Sequence, residues 1–200
     1  DSEVANDLRL MPTRISSMVE YTNYFGGPQK EEGIVVTINE TQVNSITTEI
    51  KATAALAESA RSKHIMYYAL QMFFANGGGP CWIISIAGYK PTFGGALVKT
   101  EFDAGFAALA KEDEPTLIVF PEAQNLSIAD FKAVQDAALL QCETLKDRFV
   151  IMDVHGNTIS LSNPASVLLT AINNFRNNGI GNNSLKYGAA YGPNIETVLD

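Results

Sequence analysis

The chain has 200 residues, of which 46% are apolar and 18% charged, and a net charge of −8. That is enough apolar chain for one ordinary domain with a real core, and it excludes a disordered polypeptide. No Lys/Arg cluster offsets the acidic balance, which argues against nucleic acid as a partner, and no apolar run approaches the ~18 residues that span a bilayer, which argues against a membrane one.

Residues 1–15 start polar and end in Leu8, Leu10, Met11, Pro12 and Ile15, which predicts an extended lead-in to a single α/β domain over 16–200. Ser17-Met18-Val19-Glu20 matches a capping box and opens a helix that Gly26-Gly27-Pro28 ends. The β-branched run at 34–38 predicts a strand. From 40 to 63 the signal weakens: a Thr- and Ser-rich edge strand comes first, and then a helical composition over 52–60. Residues 64–76 predict a helix that is apolar nearly all round, with Ile65, Ala69 and Phe73 on one face and Met66, Leu70 and Phe74 on the next. Such a helix is buried on several sides, or in a larger assembly. Asn76-Gly77-Gly78-Gly79-Pro80 stops it. The apolar run at 81–86 then reads as a strand covered on both faces.

Residues 89–98 read as a loop. Thr100-Glu101-Phe102-Asp103 predicts a capped helix with Phe102, Phe106 and Leu109 on one face, and a charged turn at 111–115 ends it. A buried strand at 116–120 stops at Pro121. Ser127 caps a long helix whose inner face carries Phe131, Val134, Ala138, Cys142 and Leu145. Residues 149–152 form a further strand. Asn163-Pro164 opens a helix burying Val167, Leu168, Ala171, Ile172 and Phe175, and residues 187–191 form the last strand. Apolar strands alternating with helices predict an α/β, three-layer fold: a mainly parallel sheet of about five strands with helices on both faces.

The candidate chemistry is sparse. Gly77-Gly78-Gly79 invites a phosphate loop, but such cradles run strand, glycine loop, helix, and here the order is reversed. A turn needing positive φ or close packing fits better. Asp153 and His155 follow a strand, at the edge where α/β sheets place their sites. They could hold a metal or act as an acid–base pair in a small enzyme or ligand-binding module, yet His64 is the one other histidine and no ligand cluster has metal spacing. An exposed loop pair accounts for them as well. Ser160 and Ser162 lack a nucleophile elbow. Cys81 and Cys142 read as buried small hydrophobes in a reducing compartment, and Cys142 as a poor nucleophile beside Glu143. Asp147 and Arg148 suggest a local ion pair or a contact with a neighbouring chain. No catalytic residue, cofactor or metal is therefore assigned. The aromatic cluster of Tyr67, Tyr68, Phe73, Phe74 and Trp82 is either core or, in part, a subunit interface built on aromatic anchors, with Tyr67, Tyr68 and Trp82 as its candidates.

Several of these stretches together resemble one family. Phe73, Phe74, Asn76, Gly77 and Gly78 followed by a strand resemble the "FF-x-NGG, then a strand" signature of contractile tail sheath proteins. These occur in bacteriophage tails, tailocins and extracellular contractile injection systems. Ile15-Ser16-Ser17 leading to Phe25-Gly26-Gly27-Pro28, the strand at 116–120 with Pro121-Glu122, Asp147-Arg148-Phe149 within a "DRF-x-I-x-D" element, and Tyr187 to Pro193 are similar to further family elements, in the family's order. Gly192 and Asn194 depart from it, standing where the family has a bulky and an aromatic residue. The family's N-terminal "PGVYVEE" lead and C-terminal domain, which exchange strands between subunits, are not in this sequence. With no initiator Met or secretory signal either, the chain is expected to be the central domain of a longer or truncated protein. The resemblance implies a structural, non-enzymatic, self-assembling subunit of a helical polymer. Its partners would be other sheath subunits, an inner tube and a baseplate. It would be assembled in the bacterial cytoplasm and then act in a virion tail or extracellular particle, while this chain alone would be monomeric.

Overall fold

The computed structural model describes residues 7–92, 94–156, 162–195 and 197. In chain order the elements are β1 (Thr13–Ile15), α1 (Met18–Phe25), β2 (Val35–Val43), β3 (Ile46–Ala55), α2 (Met66–Ala75), β4 (Cys81–Ile83), α3 (Lys99–Leu109), β5 (Leu117–Ile118), α4 (Ile128–Leu145), β6 (Phe149–Asp153), α5 (Ala165–Asn174) and β7 (Gly188–Tyr191). The protein is a mixed α/β chain. Instead of one five-stranded sheet, the strands divide among three small ones: β5-β6-β7, parallel throughout, and the antiparallel pairs β1-β4 and β2-β3.

The parallel sheet forms as its apolar runs dictate. Leu117 registers with Phe149, and Val150 to Asp153 register with Gly188 to Tyr191. In β6 burial alternates, so Val150 and Met152 are buried while Phe149, Ile151 and Asp153 are half-buried. One face of the sheet is therefore fully packed and the other only partly, which differs from the expected cover on both faces. The packed face meets α4. Ser127 caps that helix by accepting the Asp130 N–H at 3.1 Å, and Phe131, Val134, Ala138, Leu139 and Cys142 line its inner side. Leu145, the last residue of the helix, remains exposed, and the chain leaves through a left-handed Lys146 at φ 62°.

Around α4 lie two adjoining apolar groups. One joins Leu109, Ile118, Ala138, Leu139, Cys142, Val150 and Met152, and the other joins Phe102, Ala123, Leu126, Phe131, Val134 and Phe175. The helix α3 is capped by Val98 without a side-chain bond, so the expected Thr100 cap is not used. Its Gly105 approaches Ile86 so closely that a Cβ would come within 2.5 Å of Cγ2. In α5 only Ala171 is buried, and Phe175 just beyond it; Val167 and Ile172, expected in the core, are exposed.

A third apolar group, Ile15, Tyr21, Leu70 and Ile83, holds the N-terminal unit. Here α1 follows its capping box: Ser17 accepts the Glu20 N–H at 3.2 Å, while the Glu20 carboxylate reaches the Ser16 N–H at 2.6 Å. The lead-in does not simply trail. Its end, β1, pairs with β4, and Leu10 N–H donates to Ser85 O at 2.8 Å. The strand expected over 81–86 is thus cut to three residues plus this bridge.

Of the run at 34–38, residues 35–38 do form a strand, but not in the main sheet. β2 and β3 make a free-standing antiparallel hairpin whose residues are all exposed. Residues 52–55, expected to be helical, are strand, paired residue by residue with 35–38.

Candidate functional site

The helix α2, the glycine turn and β4 form a unit with more apolar surface than the fold covers. Of the residues in α2 only Leu70 is buried, and Phe73 is 42% exposed. The expected burial on several sides is not met among the described residues: α2 packs against α1, the turn at residues 121–125 and, through Leu70, Ile15 of β1 and Ile83 of β4, and the rest of the helix is half-buried or exposed. Tyr67 lies 6.1 Å from Tyr21 and 5.6 Å edge-on from Tyr68. Trp82, on β4, is half-buried and donates Nε1–H to Glu114 at 3.2 Å. The three candidate interface residues are thus half-covered, with the tyrosines together and the tryptophan anchored through Glu114.

The turn itself is a helix stop. Asn76 Nδ2 donates to Met72 O at 2.8 Å, the Gly77 N–H to Phe74 O at 3.1 Å and the Gly78 N–H to Phe73 O at 2.8 Å. Gly77 sits at φ 85°, where a Cβ is strained, and a Cβ on Gly78 would meet the Phe73 ring at 2.5 Å. Because both N–H groups are spent on helix carbonyls, they are not free to cradle an anion. Phe73, Phe74, Asn76, Gly77 and Gly78 are a joint between helix and strand.

The second motif is a helix anchor. The Arg148 side chain is fully buried and grips Asp147 with two bonds, of 2.7 and 3.1 Å. Its remaining donors reach Leu109 O at 3.1 Å and Glu112 O at 2.7 Å, at the carboxyl end of α3. A fixed cation there satisfies carbonyls that the helix leaves open and complements its dipole. The hydrogen bond from Arg148 holds the Asp147 carboxyl below its ordinary range, and the same bond raises Arg148. Phe149 then starts β6, its N–H donating to Thr116 O at 2.8 Å.

Asp153 and His155 sit at the carboxyl end of the parallel sheet, but each is engaged separately. Burial raises the Asp153 carboxyl, and a hydrogen bond to Gln124 opposes the rise. His155 Nε2 lies 3.0 Å from Leu126 O, so that nitrogen carries the proton, and the ring stands edge-on to Phe131 at 4.9 Å. Gln124 also accepts the Gly156 N–H at 3.2 Å and donates to Asn194 at 3.3 Å. The histidine holds a loop against the core. Among the described residues no group of three His, Cys, Asp or Glu side chains has metal-binding geometry. Ser160 lies outside the described residues.

The densest polar cluster was not legible from sequence. His64 Nε2 accepts the Lys90 N–H at 3.2 Å, which places the ring proton on Nδ1, 3.3 Å from Glu122 Oε2. The other Glu122 oxygen accepts the Met66 N–H at 3.2 Å, capping α2 from a distant segment. Tyr89 lies 5.0 Å from the His64 ring and donates its hydroxyl to Gly27 O at 2.6 Å; burial, then Glu122, pushes that hydroxyl up. Lys90 bonds Glu101 at 2.5 Å. The cluster fastens the N-terminal unit to the α4 unit. Its sequence signal is the acid straight after Pro121, but nothing in the pattern ties it to His64. Both thiols are free; burial raises each, Cys142 to about 11. Cys142 is buried as expected, whereas Cys81 is only half-buried.

Among the described residues no helix is long and apolar enough to cross a membrane. Comparison of the chain with protein-family models gave no match, and comparison with curated proteins gave none either.

Proposed function

We propose that this chain is a structural subunit of a contractile tail sheath. It polymerises with copies of itself around an inner tube, above a baseplate, and contracts to drive the tube through a target envelope. The observation that carries this reading is α2 with its glycine joint: a helix apolar nearly all round, of which the fold fully buries only Leu70. Apolar surface left half in water marks a contact still to be made. The far face of the parallel sheet is likewise only partly covered, and Val167, Leu169 and Ile172 of α5 are exposed. We take the three-layer arrangement to be completed in the polymer, where neighbouring subunits supply the missing cover. Anchors such as Arg148 and the His64–Glu122 cluster suit rigid bodies that repack against each other between two states. Assembly takes place in the bacterial cytoplasm, and the finished particle acts outside it. The dilute chain alone stays monomeric.

Electron microscopy of the product of the complete reading frame tests the proposal. Hollow helical tubes are expected, and uniformly small particles under all conditions would overturn it.

One observation favours a second reading, an α/β enzyme or binding module at the sheet edge: the half-buried Asp153 carboxyl held above its ordinary range. Metal analysis of protein purified without chelator, and an activity screen of the wild type beside Asp153→Ala, separate the two.

A further inference from the structure

The β2–β3 hairpin is the longest stretch of the fold in which neither backbone edge nor side chains find cover. Every residue from 33 to 55 is exposed, and each strand pairs only with the other. A lone two-stranded hairpin is marginal in water, and three or more strands with an apolar face are needed for independent stability. Cross-strand register sorts its faces. Val36, Ile38, Ala52, Ala54 and Ile50 share one with Glu40, and its larger apolar three are 59%, 62% and 65% exposed. The other face begins with Val35 opposite Ala55 and is otherwise polar, with Thr37 opposite Thr53, Asn39 opposite Lys51 and Thr41 opposite Glu49.

We propose that the outer edge of β3 pairs antiparallel with the same edge of a second copy of this chain, about a two-fold axis at Ile50. In that register Ile50 faces Ile50 of the second copy, Glu49 faces its Lys51, and Lys51 faces its Glu49. Two opposite charges, one residue to either side of an apolar centre, are self-complementary under a two-fold axis. Within the hairpin neither charge faces an opposite one. The β2 edge lacks this property, since its only charge is Glu40 and it has no cation to receive a second copy's acid. Pairing yields a four-stranded sheet, satisfies the open N–H and C=O groups of both β3 edges, and sets the register by charge. With a rise of ~3.3 Å per residue and a strand spacing of ~4.8 Å, the ten-residue β3 edge presents roughly 160 Å². That is well under the ~800 Å² per partner of a stable interface. The contact is therefore weak and forms only at high concentration. It stands on the hairpin alone and does not depend on the sheath reading.

Sedimentation velocity of the 200-residue chain at low salt, from about 10 µM to about 1 mM, tests it. The wild type associates towards the upper end and less so at ~0.5 M NaCl, which screens exposed pairs. Glu49→Lys and Lys51→Glu each set like charges opposite each other and weaken association by roughly tenfold. An equimolar mixture of the two single variants associates again, as does the double variant. All these positions are exposed, so far-UV circular dichroism stays unchanged. A wild type monomeric at about 1 mM, single variants that associate like it, or a mixture no better than its components would each overturn the pairing.

Discussion

Replacing Arg148 by alanine removes the group that ties the end of α3 to the start of β6. Two guanidinium hydrogen bonds to the Leu109 and Glu112 carbonyls are lost, together with the packing of a fully buried side chain. Hydrogen bonds to charged groups contribute about 1.5–3 kcal/mol each. Water entering the cavity recovers part of this, so a net loss of about 3–5 kcal/mol is expected, the range for breaking a buried charged contact. For a chain of this size that corresponds to a fall in Tm of roughly 6–20 °C, at about 2–4 °C per kcal/mol. Urea unfolding would move to a lower midpoint with an unchanged slope. Arg148→Lys keeps the charge but not the planar fork, and recovers less than half of the loss. Asp147→Asn costs less than either, because the Asp147 carboxylate is 40% exposed. Hydrogen exchange locates the damage: the Lys111 and Glu112 amides, bonded to Ala108 O and Leu109 O, should exchange faster in Arg148→Ala. A variant within about 1 kcal/mol of the wild type, a typical surface-substitution effect, would refute the anchoring role.

Gly77→Ala forces a Cβ onto a left-handed turn at φ 85° and should cost about 1–2 kcal/mol in urea unfolding. Because His64 and Glu122 touch, a double-mutant cycle with His64→Phe and Glu122→Gln should show a coupling of about 0.5–3 kcal/mol; additive effects would mean the contact is incidental. The folded-state pKa of Asp153 is raised, so the folded protein holds that proton more tightly than the unfolded chain, and this contribution to stability is lost as pH rises from the unfolded value through the folded one. Asp153→Asn should therefore be at least as stable as the wild type at pH 7, with a flatter stability curve on the alkaline side of the ordinary carboxylate pKa. The Asp147 carboxyl is depressed, so its contribution is present above the unfolded carboxylate pKa and fades as pH falls below it. Thermal unfolding of Asp147→Asn should lack that acid-side loss.

The parallel sheet and α4 were readable because their signals are local. Residues 149–152 are a continuous apolar run, and Ser127 stands three residues before Asp130, as a cap requires. The hairpin was only half readable. Val35 to Ile38 announce a strand, but Ala52, Ala54 and Ala55 carry helical propensity, which pairing with the β-branched partner strand overrides. The apolar content of α2 was plain, while the amount of cover it receives depends on elements remote in sequence. The same holds for the polar joint, whose two sides, His64 and Glu122, lie 58 residues apart. Leu145 fits the helical period yet remains outside the core, as the last residue of α4 before the left-handed Lys146.

Burial lifts both cysteine thiols above their usual value, and its consequence reaches beyond packing. Little thiolate exists at neutral pH on either side chain, and thiolate is the form that exchanges or oxidises. Cys142, enclosed in the core, is thereby kept as an unreactive thiol, whereas the half-buried Cys81 is the sulfhydryl that a change of medium reaches first.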